Sequence, residues 1–318
     1  MSQITTAEFV IPTAMAQTSL AADEILHSGN CGVIVERVAQ LHGHFKSEGR
    51  MFARELSEHI NTHYAGIATV FVYEDTFGTK DRLHWLIHLR SLYDYERMIG
   101  MGTADDGWRD IIMRDRIPAA KGGGSSERLF TDGSLRETVL LPQNMGMYGT
   151  FADQVPESLM AEEDGTARLA VPSAQHQTPL PPERTLNSAT CGIIMHRVGE
   201  TQYLFRNEAR QFCRAIAEKW TRDLEGRASV FFYEEAFGRS DQVHWLIHLK
   251  NLGVYYDLMG HRARIDAEAR EIFTRQWIPA DKGGGGWERL FVQGSLADTA
   301  LTPQHWGMFA TRRLADPS

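Results

Sequence analysis

The run HWLIHL at residues 84–89 recurs letter for letter at residues 244–249, 160 positions later in a chain of 318 residues. The preceding VFVYE at 70–74 matches VFFYE at 230–234 with the same offset. Identical runs at a fixed distance indicate an internal duplication, and a duplicated unit determines the fold of the whole chain. We therefore expect a structural unit of about 160 residues that is present twice.

The duplication extends beyond these strands. IPTA at 11–14 resembles VPSA at 171–174, so each unit begins in an N-terminal arm. One extra residue then enters the second copy, because KGGG at 121–124 pairs with 282–285 at an offset of 161. The predicted organisation is a first repeat with its arm over 1–150, a linker over 151–168 and a second repeat with its arm over 169–318.

Composition and charge exclude several classes of protein. The formal net charge is −8 without a basic stripe, which argues against nucleic-acid or anionic-membrane partners. No run approaches the roughly 20 apolar residues of a membrane helix. A signal peptide would require a basic N-terminal region, but no Lys or Arg precedes Arg37. Three cysteines without a CxxC pair fit a reducing compartment. We expect a cytoplasmic protein, either a monomeric pseudo-dimer or a homodimer.

The pattern within one unit predicts strands and helices in the order β-α-β-β-α-β, the ferredoxin-like arrangement. Strands are expected at short β-branched runs: 31–38, 67–74, 82–89 and near 127–131. Apolar residues at helical spacing indicate helices over 45–64 and about 93–116. Such a unit leaves one sheet face bare, and a second copy would cover it. The predicted fold class is α+β, with two tandem ferredoxin-like units facing each other as a pseudo-two-fold dimeric α/β barrel.

This order, with the strand and following helix RLHWLIHLRSLYDYERM at 82–98, resembles the dimeric α/β-barrel superfamily in tandem-fused form. Within it, the chain is most similar to the antibiotic-biosynthesis monooxygenase, NIPSNAP and EthD-type families. The superfamily includes cofactor-free oxygenases of aromatic polyketides, oxygenases that use reduced flavin, haem proteins, and small cyclases or isomerases.

The resemblance implies a small-molecule tailoring enzyme, a monooxygenase-like oxidoreductase that acts on an aromatic or polyketide-like substrate in secondary metabolism. It would work without a cofactor or with reduced flavin. Two alternatives stay open: a non-catalytic protein that binds a hydrophobic ligand, and a haem or metal protein that uses a strand histidine.

The histidines of the repeated strand are the candidate catalytic groups. Residues four apart on a strand are separated by about 13 Å, so His84 and His88 cannot grip one metal together. A metal would need a partner from the other copy, such as His84 with His244. A general acid or base role fits because histidine titrates near neutrality. The remaining alternative is a polar sheet face bonded to Asp81, Asp241, Glu74 or Glu234. The predicted catalytic set is His84, His88, His244, His248, Asp81 and Asp241, and no residue is assigned to a metal.

Strand alternation divides the repeated run into two faces. Trp85 and its alternate neighbours form an apolar core face, whereas His84, Leu86 and His88 form a mixed face typical of a pocket wall. A charged residue within a strand must be paired or bind an anion, so Arg37 and Arg197 are candidate contacts for a carboxylate or phenolate. The predicted substrate-binding set is Arg37, Arg197, Tyr73, Tyr233, Glu74, Glu234 and Trp306.

The KGGG segment does not match a phosphate loop, because its Lys precedes the glycines. A loop with positive φ is the favoured interpretation and a mobile flap is the alternative. The two copies also differ: Glu36 becomes His196, Ser126 becomes Trp287, and His42 and His44 become Gln202 and Leu204. We therefore expect one working pocket and one structural or regulatory pocket per chain.

Overall fold

The structure is a computed structural model that describes residues 11–144, 160–163, 166–169, 172–259 and 266–308. Its strands are β1 Val33–Gln40, β2 Ala68–Phe77, β3 Arg82–Leu89, β4 Arg136–Pro142, β5 Met160–Glu163, β6 Thr166–Leu169, β7 Ile193–Glu200, β8 Ala228–Phe237, β9 Gln242–Leu249 and β10 Ala297–Pro303. Its helices are α1 Lys46–His63, α2 Leu92–Ala104, α3 Asp106–Met113, α4 Arg206–Asp223, α5 Leu252–Met259 and α6 Ala267–Thr274.

Eight of the strands form one closed barrel in the order β1-β3-β2-β10-β7-β9-β8-β4, and every neighbouring pair is antiparallel. The predicted fold class, two ferredoxin-like sheets facing each other in a tandem α/β barrel, is therefore wrong. Pairing of β4 with β8 and of β10 with β2 joins the two halves edge to edge. Closure satisfies the edge strands by hydrogen bonding, which face-to-face packing of two sheets does not do.

The strand predicted near 127–131 is also wrong. Ser126–Arg128 forms a short 3-10 turn, and Phe130 makes only an isolated bridge to Leu41. The strand instead follows the turn at Gly133, and its residues become more buried from exposed Arg136 to buried Leu140. Both halves place their last strand in this way, at Arg136–Pro142 and Ala297–Pro303.

The barrel wall separates two kinds of core. Its outer face packs against the helices in two apolar clusters, one around Val35, Trp85 and Leu56, the other around Val230, Trp245 and Ile216. Its inner face carries every second residue of each strand, because successive side chains of a strand point to opposite faces. The interior cluster contains Ile34, Phe71, Leu86, Leu140 and their second-half counterparts. The predicted division of the HWLIHL faces is confirmed.

The N-terminal arms close one end of the barrel. The Gln17 side chain hydrogen-bonds to the backbone of β2 as a neighbouring strand would. Its amide oxygen accepts from the Val72 N–H at 2.8 Å, and its amide nitrogen donates to the Val72 carbonyl at 2.7 Å. Gln177 makes the same contacts to Phe232 on β8. The predicted arms therefore have a structural role in each half, although residues 9, 10 and 169–171 lie outside the residues whose side chains are described.

The linker predicted over 151–168 lies mostly outside the described residues, and what is described there is the antiparallel hairpin of β5 and β6. The division of the chain into units at 150 and 169 stays a prediction. None of the helices in the described ranges has the length and apolar character required to cross a bilayer.

Replacing Gln17 by Ala tests the arm. We expect Gln17→Ala to lower the free energy of unfolding by about 2–4 kcal/mol, because it leaves buried backbone groups without partners. Exposed Gln202, whose amide makes one long contact to the Phe291 carbonyl, supplies the control Gln202→Ala, with an expected change below about 0.5 kcal/mol. Urea denaturation measures both, and equal stabilities of the two variants would contradict this role of the arm.

Candidate functional site

A line of titratable side chains crosses the barrel interior. In the first half, Asp75 Oδ1 lies 2.8 Å from His84 Nε2, and His84 Nδ1 lies 2.9 Å from Glu36 Oε1. The three residues come from β2, β3 and β1. Tyr73 pairs with His84 across β2 and β3, and Asp75 shares the inward face of Tyr73 because it lies two residues further on.

The line continues into the second half without interruption. His196 Nδ1 lies 3.3 Å from Glu36 Oε1, and His196 Nε2 lies 3.0 Å from His244 Nδ1. His244 Nε2 faces Glu235 Oε2 at 3.7 Å. We name these six residues the interior line, in the order Asp75, His84, Glu36, His196, His244 and Glu235.

Charge within the interior line is fixed by its contacts. Burial disfavours a charged imidazole, but hydrogen bonds and attraction from Asp75 and Glu36 outweigh it and raise the pKa of His84 to about 9. Burial likewise disfavours a charged Glu36, yet the attraction and hydrogen bonds of His196 and His84 hold the pKa of Glu36 well below its usual value. A protonated His84 between two carboxylates therefore persists at neutral pH.

The other two predicted histidines lie at the end of the barrel closed by the arms. His88 Nδ1 lies 3.1 Å from the Thr69 carbonyl and its Nε2 lies 2.8 Å from Ser188 Oγ. His248 makes the equivalent contacts to Ser229 and to Ser28 Oγ at 2.8 Å. Burial lowers the pKa of both histidines to about 3, so they are neutral and their ring nitrogens are both engaged. These contacts give His88 and His248 a structural role in holding the arms.

Tyr73 and Tyr233 belong to the same closed end. Both are fully buried, and their hydroxyls donate to the backbone carbonyls of Ser188 and Ser28. Each tyrosine thus bonds to the arm of the opposite half. The structure gives neither one an open face toward a substrate.

The predicted acidic partners lie on the outside of the barrel, away from the histidines. Glu74 pairs with Arg50 at 2.6 Å, and the same arginine reaches Asp81 at 2.7 Å. Glu234 forms the equivalent ion pair with Arg210 at 2.7 Å, and Asp241 lies 3.9 Å from Arg206. These contacts join the strands to α1 and α4. The carboxylates that contact the strand histidines are therefore not the ones predicted.

Three further predicted residues take separate positions. Arg37 pairs with Glu137 at 2.6 Å on the outer face, and Arg197 holds Asp298 with two bonds of 2.7 and 2.8 Å. Trp306 donates to Glu58 Oε1 at 3.0 Å, and its ring lies 5.7 Å from the Arg54 guanidinium. Of these, Arg197 lines a pocket.

Sequence reasoning missed four members of the interior line: Glu36, Asp75, His196 and Glu235. Strand alternation was the available signal, because Asp75 points to the same face of the strand as Tyr73, whereas Glu74 points to the opposite face. The difference between Glu36 and His196 was a second signal. It marks the place where the two halves meet, which only the closed barrel shows.

A pocket of about 750 Å³ lies outside the barrel wall in the second half, between β7, β9 and the helices α4 and α6. Its aromatic lining is Phe212, Trp220, Trp245, Phe273, Trp287 and Phe291. Arg197, Arg270 and Asp298 add charge at its wall. We name it the aromatic groove. Apolar walls with a few polar groups are typical of small-molecule sites.

Two residues that line the aromatic groove, Trp220 and Trp245, have indole N–H groups without a hydrogen-bond partner among the described residues. Both nitrogen atoms are buried, and Trp85, the counterpart of Trp245, has the same property in the first half. These groups therefore belong to the packed wall, and the polar group at the groove is the Arg197 guanidinium, which Asp298 holds with two bonds. Trp220 takes the place of Ile60 in the first half.

The glycine-rich segment borders a second, more polar cleft of about 830 Å³ in the first half. Gly122, Gly123 and Gly124 all have positive φ, which confirms the interpretation as a loop that requires glycine. His42 and His44 line this cleft, and the second half has Gln202 and Leu204 instead. The flap alternative stays a prediction.

The strand histidines do not belong to a metal-binding cluster in the part of the chain that the structure describes, and the haem alternative stays a prediction. Within the described residues, no group of three or more His, Cys, Asp or Glu side chains is arranged to hold a metal ion. All four strand histidines point into the barrel, and the described residues that line the aromatic groove include no His. Those histidines are therefore separated from the groove by the barrel wall.

The state of His84 predicts a pH dependence of stability. Its pKa is raised on folding from 6.5 to about 9, so its contribution is fully present below pH 6.5 and is lost as pH rises through about 9. Between pH 7 and 10 we expect wild type to lose about 2.5 kcal/mol more than His84→Gln. Urea denaturation at the two pH values measures this difference, and equal losses in both proteins would rule out a protonated His84.

Comparisons with solved structures found similar chain traces. A candidate monooxygenase from Fusobacterium nucleatum subsp. nucleatum is 8% identical over 85% of this chain and 91% of its own, with a TM-score of 0.49. One from Lactobacillus acidophilus is 8% identical over 85% and 92%, with a TM-score of 0.47. An anthrone oxidase-like protein is 11% identical over 88% and 94%, with a TM-score of 0.43. These values are too low to transfer a function.

Sequence comparisons identify the family. A search of curated proteins found no match. The similarity to antibiotic-biosynthesis monooxygenase, NIPSNAP and EthD-type proteins stays a prediction. One family model matches residues 3–309, nearly the whole chain, and the protein belongs to that family, the family of unknown function DUF6039.

Proposed function

We propose that the protein binds a flat aromatic small molecule with an oxygen acceptor in the aromatic groove and acts on it as an oxygenase. The observation that carries this proposal is a pocket of about 750 Å³ that six aromatic rings line and that has the Arg197 guanidinium at its wall. A phenol, phenolate or quinone oxygen would accept a hydrogen bond from this guanidinium. An aliphatic ligand without an acceptor would make no such bond.

The surrounding side chains favour an aromatic ligand over other hydrophobic ones. Phe212 stacks on Trp287 with ring centroids 5.7 Å apart and an interplanar angle of 13°, and Phe273 meets Trp287 edge-on. Aromatic faces and edges arranged in this way bind further flat rings favourably. Arg197, held rigidly by Asp298, places a guanidinium at the wall, which favours a ligand with partial or full negative charge.

The second half is the better candidate for the working site. It has Trp220 and Trp287 where the first half has Ile60 and Ser126. It also has Ala269 where the first half has Trp108, whose ring stacks on Tyr64 with centroids 5.7 Å apart. Additional aromatic walls and a smaller residue on α6 support one specialised pocket per chain, as expected from the divergence of the copies.

The chemistry would rely on the ligand's own reactivity. Among the described residues, the groove lining includes Asp298, already paired with Arg197, and no His or Cys. An electron-rich ring system can react with dioxygen once it is bound and shielded from water. Oxidation of an activated ring CH₂ to a carbonyl consumes one O₂ and releases one water, and it needs no external reductant. Hydroxylation of a ring C–H needs two further electrons, which reduced flavin would supply.

Matched tryptophan variants test the binding site. Trp245→Phe replaces the indole by a smaller ring in the wall of the groove, so we expect a five- to tenfold weaker affinity for 1-hydroxyanthraquinone, about 1 kcal/mol. Trp85→Phe makes the same change in the first half and should leave the affinity unchanged. Trp220→Ile, which introduces the first-half residue, should weaken binding further. Isothermal titration calorimetry measures affinity and stoichiometry, and two equivalent sites per chain would refute the assignment to one groove.

Oxygen consumption tests the activity separately from binding. With a polyphenolic anthrone as substrate we expect O₂ uptake at an oxygen electrode, either without additives or only with reduced flavin. Trp220→Ile should lower the rate at a fixed low substrate concentration at least fivefold, in line with its weaker binding. Tight binding of the aromatic probe without O₂ uptake under either condition would contradict the oxygenase proposal and support a non-catalytic binding protein.

A further inference from the structure

The interior line has a role that the aromatic groove does not explain, because the barrel wall lies between them. Its two ends are anchored in the same way. Asp75 Oδ2 accepts the Thr79 N–H at 2.9 Å, and Glu235 Oε1 accepts the Arg239 N–H at 3.0 Å. The line therefore runs from one hairpin turn to the equivalent turn of the other half.

The two halves of the interior line differ in the number of N–H groups that are available for their contacts. Protonated His84 has two N–H groups and two carboxylate contacts, to Asp75 and Glu36, so this half is complete. The pair His196 and His244 takes part in three contacts: with Glu36, with each other, and with Glu235. Two neutral imidazoles bring only two N–H groups, since each neutral ring carries one. One of the three contacts then has no hydrogen.

The geometry shows which contact lacks the hydrogen. The distances along this half are 3.3 Å from Glu36 to His196, 3.0 Å between the rings and 3.7 Å from His244 Nε2 to Glu235 Oε2. His244 Nε2 is also a buried atom without a hydrogen-bond partner in the described part of the chain. In the first half the equivalent contact, from His84 to Asp75, is 2.8 Å. The open position is therefore at the Glu235 end.

We propose that the His196–His244 pair is a one-proton uptake site, filled at His244 Nε2 through Glu235, so that the barrel interior stores a proton shared by two rings. Uptake places a proton between His244 Nε2 and Glu235 and completes all three contacts. The pair then has one positive charge for two rings. A second proton on the pair would remove the acceptor between the two rings and is excluded.

The surrounding charges support a single proton. Facing the pair are Glu36 from β1, Glu235 from β8, His84 from β3 and, beyond it, Asp75 from β2. The remaining strands β4 and β10 place Thr138 opposite Glu36 and Thr299 opposite His196, and neither threonine has a charge. Three carboxylates against one protonated His84 leave an excess of negative charge that one further proton reduces. Burial opposes this gain and lowers the pKa of His244, so uptake occurs on the acid side of neutrality.

The pair has contact with solvent that the closed end lacks. The side chains of Glu36, His84, His196 and His244 are each 5–7% exposed, whereas His88 and His248 are 0% exposed. Glu235 is the most exposed of the six, at 10% of its side chain. A proton can therefore reach the pair at this mouth of the barrel, with Glu235 as the outermost group.

Long-range ¹H–¹⁵N NMR of the full chain, labelled at histidine, tests the proposal between pH 4.5 and 8. We expect the resonances of His196 and His244 to move together with one midpoint, and a potentiometric titration to assign one proton to the pair. His84 should stay doubly protonated, and His88 and His248 should not titrate. Independent midpoints for His196 and His244 with two protons, or no uptake by the pair above pH 4.5, would overturn the proposal. This measurement needs only the wild-type protein.

Variants then test the position of entry. Glu235→Gln should lower the midpoint of the pair by about one pH unit, a tenfold loss of proton affinity, because it removes the charge nearest to His244. Glu235→Asp should retain the midpoint within about 0.3 units of wild type. Exposed Glu183, at the start of a 3-10 turn, supplies the control Glu183→Gln, which should leave the midpoint unchanged. An unchanged midpoint in a folded Glu235→Gln would rule out Glu235 as the entry group.

Discussion

Closure of the barrel depends on two seams, where β4 pairs with β8 and β10 pairs with β2. Each seam joins strands from different halves, so neither half has a free sheet edge. Closure also buries the inner faces of the strands. Every polar group on the inner faces must then find a partner inside the barrel or at its ends, since an unpaired buried polar group costs several kcal/mol. The arms and the interior line both follow from this requirement.

The barrel meets the requirement differently at its two ends. At the closed end, pseudo-symmetric contacts bond His88 to Ser188 and His248 to Ser28, and burial keeps both rings neutral. At the other end Glu36 of the first half meets the equivalent position of the second half, where a second carboxylate would repel it. Glu36 in one half and His196 in the other replace that repulsion with attraction. The divergence of the copies at this position is thus a condition for a charged interior.

Divergence on the outer face has a different consequence. There the helices cover the strands, and substitutions change the shape of the space between the two layers. Trp220, Trp287 and Ala269 in the second half stand where Ile60, Ser126 and Trp108 stand in the first. The same backbone plan therefore supports a filled layer on one side and an aromatic pocket on the other. Duplication makes such specialisation accessible, because one copy retains the packing that stabilises the barrel.

The sequence by itself determined the duplication, the arms and the two faces of the HWLIHL strands, because repeats and strand alternation are local patterns. It also pointed to His84 and His244. It did not determine the closed barrel, the position of the last strand of each half or the partners of the histidines. Glu74 and Asp75 are neighbours in sequence, yet one pairs with α1 outside the wall and the other with His84 inside it. Only the tertiary structure decides such partners, since strand alternation and barrel closure together set which side chains share the buried interior.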